Sequence, residues 1–216
     1  MDKNTILSAI KELKEKNKKN FKQTFDLIIS LKDLDLKKPE QQVDIFCQLH
    51  HPKGKKTTTC ALIGPELTEQ AKTACDFFIA IDDFEKYGRD PKSVKKLSDK
   101  YDFFIAQANI MAKIASAFGK VLGRRGKMPN PKAGCVVPPN ANLKMLVDKL
   151  QSTVRLSART ALMIQTVVGM EDTPEENIVT NINTIYDSVI HHTPKGEHNI
   201  RKVLLKLTMS KPIKIG

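Results

Sequence analysis

The run Asp102-Phe103-Phe104-Ile105-Ala106 and the segment after it decide the fold of this chain. An apolar, strand-like run leads there into a segment with helical periodicity, residues 109–122, and the same alternation begins upstream at residues 77–81. A helix near 142–151 closes the series. Short buried strands that alternate with helices are typical of a parallel sheet covered by helices. Residues 66–154 are therefore predicted to form an inserted, three-layer α/β domain of Rossmann-like architecture.

The two ends of the chain show a different pattern. Strand-like segments lie at 21–31, 43–49, 57–63, 153–157, 160–168 and 203–209, and helical periodicity appears near 6–13 and 174–189. Each end alone is too short to bury a hydrophobic core, whereas together they supply a layer of strands and a layer of helices. The chain is therefore predicted to be an α/β protein of two domains. The second is a discontinuous α+β domain built from residues 1–65 and 155–216, with a hinge at the two chain crossings.

Residues 173–176 have the sequence pattern of the N-terminus of a helix, the last long helix of the chain. Thr173 is predicted to be its N-cap, with Pro174 at the first helical position and Glu176 completing a capping box.

The charge balance favours a polyanionic partner. The chain has 36 Lys and Arg against 24 Asp and Glu, a formal net charge of +12, and such a basic protein is expected to associate with nucleic acid. Trp is absent and aromatic residues make up 6% of the chain, which argues against a broad platform for stacked bases. No apolar run reaches the roughly 20 residues that span a bilayer, so no membrane partner is predicted.

Cofactor, metal and catalytic sites are not predicted. The four cysteines lie far apart without a Cys-x-x-Cys pair, which suits reduced thiols in the cytosol better than zinc or disulfides. Gly126-Lys127 lacks the loop length of a phosphate-binding P-loop, and Met128 stands where Ser or Thr would bind magnesium. No carboxylate stands at ligand spacing from the histidines. The protein is therefore predicted not to be an enzyme.

A basic loop interrupts the inserted domain. It reads Gly123-Arg124-Arg125-Gly126-Lys127-Met128-Pro129-Asn130-Pro131-Lys132-Ala133-Gly134. The surrounding stretch, residues 103–147, has seven basic residues and no Asp or Glu. The loop is therefore predicted to present positive charge, without an acid to neutralise it, to RNA or tRNA through Arg124, Arg125, Lys127 and Lys132. The alternatives are a merely solvated face, or residues that only shape the hinge side of the domain. A second basic patch lies on the last strand and beyond it: Arg201, Lys202, Lys206, Lys211 and Lys214.

The basic loop resembles the signature of the L-one family of large-subunit ribosomal proteins. Further runs match the family in order along the whole chain: Asn20-Phe21-Lys22-Gln23-Thr24-Phe25-Asp26-Leu27, Leu31-Lys32-Asp33-Leu34-Asp35-Leu36-Lys37-Lys38-Pro39, Asp102-Phe103-Phe104-Ile105-Ala106-Gln107 and Lys206-Leu207-Thr208-Met209-Ser210-Lys211-Pro212. The similarity is greatest to the archaeal branch.

The resemblance implies a structural constituent of the large ribosomal subunit in the cytoplasm. Such a protein binds large-subunit rRNA to form the mobile stalk near the tRNA exit site, and it assists the release of deacylated tRNA. It also represses translation of its own mRNA, whose leader mimics the rRNA site. The rRNA contacts that the resemblance implies are Phe21, Thr24, Asp26, Lys206, Thr208, Met209 and Ser210. Hydroxyl, carboxylate and apolar groups suit the reading of RNA by shape and 2′-hydroxyls.

Two residues depart from the family pattern. Ser210 stands where many members have Gly after Thr-Met, which puts a close approach of the backbone to RNA in doubt. Arg124 stands where the family often has Pro, which adds charge to the basic loop.

Two other functions remain open from the sequence. One is a regulator that acts mainly on mRNA outside the ribosome, and the other is an RNA-processing enzyme such as a nuclease. For Phe21, the alternative to an RNA contact is an ordinary core aromatic.

Overall fold

A computed structural model describes residues 2–216 as two compact units. One unit comprises the chain up to Lys55 together with Ser152–Gly216, and the other is Lys56–Gln151. The helices, in chain order, are α1 (Lys3–Lys16), α2 (Thr68–Ala74), α3 (Phe84–Arg89), α4 (Pro91–Lys100), α5 (Met111–Leu122), α6 (Leu143–Gln151) and α7 (Glu175–His192). The strands are β1 (Thr24–Leu31), β2 (Val43–Gln48), β3 (Thr59–Ile63), β4 (Phe77–Ala80), β5 (Phe103–Gln107), β6 (Val136–Val137), β7 (Thr153–Ala158), β8 (Met163–Met170), β9 (Ile200–Leu207) and β10 (Ile213–Lys214).

The unit that contains both chain ends, called the terminal unit below, is built on an antiparallel sheet. Its strand order is β10-β9-β1-β8, and β2 pairs with β7 in a second antiparallel sheet. Along β1, buried and half-buried residues alternate, as expected for a strand with one face in the core. Phe25, Leu27 and Ile29 lie in the core with the apolar faces of α1 and α7. The opposite side of the strand, which includes Thr24 and Asp26, is left partly accessible to solvent.

The other unit, called the middle unit below, is built on a parallel sheet of order β4-β3-β5-β6. Helices α3, α4 and α5 contact one another, and their buried side chains Phe84, Val94 and Phe118 share a cluster with Cys60 and Phe104 of the sheet. Helices α2 and α6 contact each other, and α2 also contacts β4. The predicted α/β class, with parallel and antiparallel sheets, is confirmed.

The border of the two units lies earlier in the chain than the predicted bounds of 66 and 154. The sequence assigned the strand at 57–63 to the domain of the chain ends, and this assignment is wrong. Strand β3 pairs in parallel with both β4 and β5, and all five of its residues are buried. A strand at the centre of a parallel sheet is apolar on both faces, which is the pattern that residues 59–63 show.

The predicted capping box of the last long helix is also wrong. Helix α7 begins at Glu175 after Pro174, without a hydrogen bond from a capping side chain. The Thr173 hydroxyl instead accepts from the Met170 amide, and the Thr173 amide donates to the Met170 carbonyl. Thr173 therefore closes the turn between β8 and α7 rather than the first turn of the helix.

Candidate nucleic-acid interface

Two threonine hydroxyls meet where β1 begins and β9 ends. The Thr208 amide donates to the Thr24 carbonyl at 3.1 Å, and the Thr24 amide donates to the Thr208 hydroxyl at 3.2 Å. The two hydroxyl oxygens are 2.9 Å apart and share a hydrogen bond. Residues 184 positions apart in the chain are thereby fixed side by side, and each hydroxyl keeps capacity for a further partner.

A tight turn presents Met209 to solvent. The Ser210 amide donates to the Leu207 carbonyl at 3.0 Å, and the Leu207 amide donates to the Ser210 hydroxyl at 2.8 Å. The Met209 side chain between them is 67% exposed. Serine at position 210 therefore closes the turn with its own side chain, which a glycine could not do.

Gln23 organises this region, and the sequence analysis did not single it out. Its side chain is 1% exposed, and its amide oxygen accepts from the Met209 amide at 3.2 Å. Its amide nitrogen donates to the Asn17 carbonyl at 2.8 Å. The Gln23 backbone exchanges two further hydrogen bonds with Glu171. One buried side chain thus joins the end of α1 to the turn that carries Met209.

Phe21 lies two residues before Gln23 and is 54% exposed. An aromatic side chain exposed to this extent is not a core residue, so the structure excludes the ordinary core alternative for Phe21. Phe21 and Met209 are thus two large apolar side chains held in water beside polar neighbours.

Asp26 and Lys206 face each other across β1 and β9. Burial raises the pKa of the Asp26 carboxyl above its usual value, and a hydrogen bond from Thr24 and the charge of Lys206 offset this only in part. The two residues line a shallow depression on the sheet with Ile28, Gln165, Thr166 and Val167. A carboxylate acceptor and an ammonium donor are therefore available at adjacent points of one surface.

We call Phe21, Thr24, Asp26, Lys206, Thr208, Met209 and Ser210 the strand-end surface. Thr24, Asp26, Lys206 and Thr208 are joined by strand pairing or by direct hydrogen bonds. Phe21, Met209 and Ser210 are placed here by their positions in the chain, and Gln23 and Leu207 hold Met209 and Ser210 by hydrogen bonds. Further positive charge lies along the same sheet, because Lys202 precedes Lys206 on the same side of β9 and Lys214 pairs with Leu204.

The basic loop is arranged differently from its prediction. The Lys127 ammonium donates to the carbonyls of Ser98 and Tyr101 at 2.7 and 2.8 Å. These are carbonyls at the end of α4, where a cation is favoured by the helix dipole. Arg125 forms an ion pair with Asp99 of the same helix, and this pair holds the pKa of Asp99 below its usual value.

The prediction that the basic loop carries unpaired charge is therefore wrong for Arg125 and Lys127. The stretch itself contains no acids, but the fold brings Arg125 to Asp99 and Lys127 to two carbonyl groups. Arg124 and Lys132 are exposed, and the chain places them in the middle unit, whereas the strand-end surface belongs to the terminal unit.

Within residues 2–216, no group of three or more His, Cys, Asp or Glu side chains is arranged to hold a metal ion. None of the helices described there is long and apolar enough to cross a membrane.

Comparison with known proteins relates the whole chain to one family. The sequence model described as the ribosomal protein L1p/L10e family matches residues 13–211. The chain is 36% identical over 216 residues to "Large ribosomal subunit protein uL1" of Methanocaldococcus jannaschii, covering 100% of this chain and 96% of the relative. The protein of the same name from Methanothermococcus thermolithotrophicus is 38% identical, with 100% and 99% covered. That from Nanoarchaeum equitans is 37% identical over 213 residues, with 97% and 98% covered.

Proposed function

The chain belongs to the ribosomal protein L1p/L10e family, and from that membership we propose that it binds rRNA of the large ribosomal subunit through the strand-end surface. The family is structural and non-enzymatic, so the prediction that this chain is not an enzyme is confirmed and the nuclease alternative is wrong. As a ribosomal protein of archaeal type, it acts in the cytoplasm as part of the ribosome. In this proposal, the terminal unit is the rRNA-binding domain.

The exposure of Phe21 and Met209 beside paired hydroxyls carries this proposal. Large apolar side chains in water cost free energy unless a partner covers them. The flat faces of ribose and bases are suitable partners, and stacking on a base contributes about 1–3 kcal/mol. The neighbouring Thr24 and Thr208 hydroxyls use their protons within the protein, and each keeps a lone pair that can accept from RNA groups at the same contact.

The polar members of the surface favour RNA over DNA. The ribose 2′-hydroxyl is what allows a protein to distinguish the two at a given site. Asp26 can accept a hydrogen bond from that hydroxyl, and Lys206 across the strand pair can reach an adjacent phosphate. Structured RNA is read mainly by such contacts to backbone and shape.

We extend the proposal to two further activities that the family resemblance implies. As part of the mobile stalk near the tRNA exit site, the protein would assist the release of deacylated tRNA. It would also repress translation of its own mRNA, whose leader would bind the same strand-end surface as the rRNA. A protein that acts mainly as a regulator outside the ribosome would use the same surface. It would differ from the protein proposed here in the ratio of its affinity for the mRNA leader to its affinity for rRNA.

A salt series of binding measurements tests the proposed function. The purified protein is titrated with an rRNA stalk fragment, with an RNA duplex of equal length, and with the 2′-deoxy form of the fragment. We expect the fragment to bind at least about a hundredfold more tightly than the duplex near 0.15 M salt, and more tightly than its deoxy form. Equal affinity for the fragment and the duplex would contradict the proposal. An mRNA leader added to the bound fragment should displace it.

A further inference from the structure

The excess of positive over negative charge in the middle unit comes from one layer of helices. Residues 84–125, which include α3, α4 and α5, carry ten Lys and Arg against four Asp and Glu. The rest of residues 56–151 carries six of each. The net charge of the unit therefore lies on the helices that pack together on one side of its sheet, not on the unit as a whole.

Helix α4 concentrates this charge on its solvent face. Val94 and Ser98 are buried, whereas the exposed side chains of the helix interior are Lys92, Lys95, Lys96, Asp99 and Lys100. The helical period places these five side chains on one face, in a ridge about 12 Å long. None of the ion pairs described for residues 2–216 involves Lys92, Lys95 or Lys96.

The two acids at α4, Asp90 and Asp99, interact mainly with groups other than the ridge lysines. Asp90 accepts from the Lys92 amide and from the Ser93 hydroxyl, so its carboxylate serves as the N-cap. Asp99 is paired with Arg125 of the basic loop. Lys127 binds the carbonyls at the end of the same helix. The basic loop thus anchors the end of α4, and its Arg125 offsets the charge of Asp99.

A face that serves only solubility mixes both signs, as α6 does with Lys144, Asp148 and Lys149. The exposed face of α4 carries four lysines and a single acid, Asp99, which is paired with Arg125. Lysine is a point charge on a flexible stem that suits phosphate and carries no information about bases. The α4 ridge is therefore suited to bind phosphate groups without distinguishing the base sequence.

We propose that Lys92, Lys95, Lys96 and Lys100 of α4 bind the phosphate backbone of helical RNA. This inference rests on the proposed function, because it adds a sequence-independent contact in the middle unit to specific recognition by the strand-end surface. Arg125 and Lys127 are positioning residues in this arrangement, since they fix α4 and leave contact with RNA to its lysines.

The test compares two sets of lysine substitutions. The ridge variant is Lys92→Gln/Lys95→Gln/Lys96→Gln, and the matched control is Lys11→Gln/Lys72→Gln/Lys144→Gln, which removes as many exposed lysines elsewhere. Glutamine preserves helix propensity. The affinity of each protein for the stalk fragment and for the duplex is measured across a salt series. In the ridge variant we expect the slope of log affinity against log salt to fall by about two to three for both RNAs.

The possible outcomes distinguish a failure of the α4 ridge inference from a failure of the proposed function. Lys92→Arg/Lys95→Arg/Lys96→Arg retains the charge and should keep the wild-type slope. Equal slopes in the ridge variant and the control would overturn the inference, while the preference of wild type for the stalk fragment would stand. A lower slope in the ridge variant, together with no preference of wild type for the fragment, would instead support the ridge and remove the proposed function.

Discussion

Replacing Phe21 and Met209 together by alanine is expected to weaken binding to the rRNA stalk fragment by about a hundredfold, about 2.7 kcal/mol. Both side chains are largely exposed in the free protein, so their truncation removes contact with RNA but little contact within the protein. The unfolding temperature is therefore expected to stay within about 2 °C of wild type, as for surface substitutions generally. Affinity is measured by titration at fixed salt, and stability by thermal unfolding.

The matched control is Met145→Ala/Leu162→Ala. Met145 is 70% exposed on α6, and Leu162 is exposed ahead of β8. This pair removes exposed apolar groups outside the strand-end surface, so the affinity should not change. Unchanged RNA affinity in the Phe21/Met209 variant would show that the strand-end surface does not contact RNA. A large fall in its unfolding temperature would show that these side chains support the fold instead.

Asp26→Asn is expected to change stability and RNA binding in opposite directions. Burial raises the pKa of Asp26, so the folded protein holds the ionised carboxylate at a cost when the pH is neutral. Asparagine removes that charge and keeps an oxygen for the hydrogen bond from Thr24. The free energy of unfolding should therefore be unchanged or higher at neutral pH. Affinity for the stalk fragment should fall by about 10- to 100-fold, because a charged acceptor is lost.

The difference in stability between Asp26→Asn and wild type is expected to depend on pH. A raised pKa in the folded state stabilises wild type at low pH, and that contribution is lost as the pH rises through the folded pKa. The stability of Asp26→Asn relative to wild type should therefore improve with rising pH and level off above that pKa. Asp148→Asn on α6 makes the same charge change at an exposed site, and it should affect neither quantity. A parallel loss of stability and affinity in Asp26→Asn would make Asp26 a structural residue.

The sequence predicted the fold class well because its signals are local. Apolar runs such as residues 77–81 and 102–106 alternate with helical segments within short windows. Strand β3 was assigned to the wrong unit because a fully buried run does not reveal which sheet it joins. Gly64-Pro65 just after it also has the composition of a domain border. The partners of β3 follow it in the chain, at β4 and β5, and only the fold brings them together.

Side-chain partners remote in sequence explain what could not be predicted of the site. Lys127 donates to the carbonyls of Tyr101 and Ser98, which lie 26 and 29 residues upstream. Arg125 pairs with Asp99, also 26 residues upstream. Gln23 accepts from the Met209 amide, 186 residues away. No local pattern marks such contacts, so the charge of the basic loop was overestimated and the role of Gln23 was missed.

The methyl resonances of methionine provide the most direct test that the strand-end surface binds RNA. In protein labelled with carbon-13 at the methionine methyl groups, Met209 and Met145 report from the terminal and middle units, and both are largely exposed. On saturation with the rRNA stalk fragment, the proposed contact places base rings against Met209, so its methyl resonance should shift strongly, while that of Met145 should stay in place. A Met209 resonance that does not move in the saturated complex would contradict RNA binding by the strand-end surface.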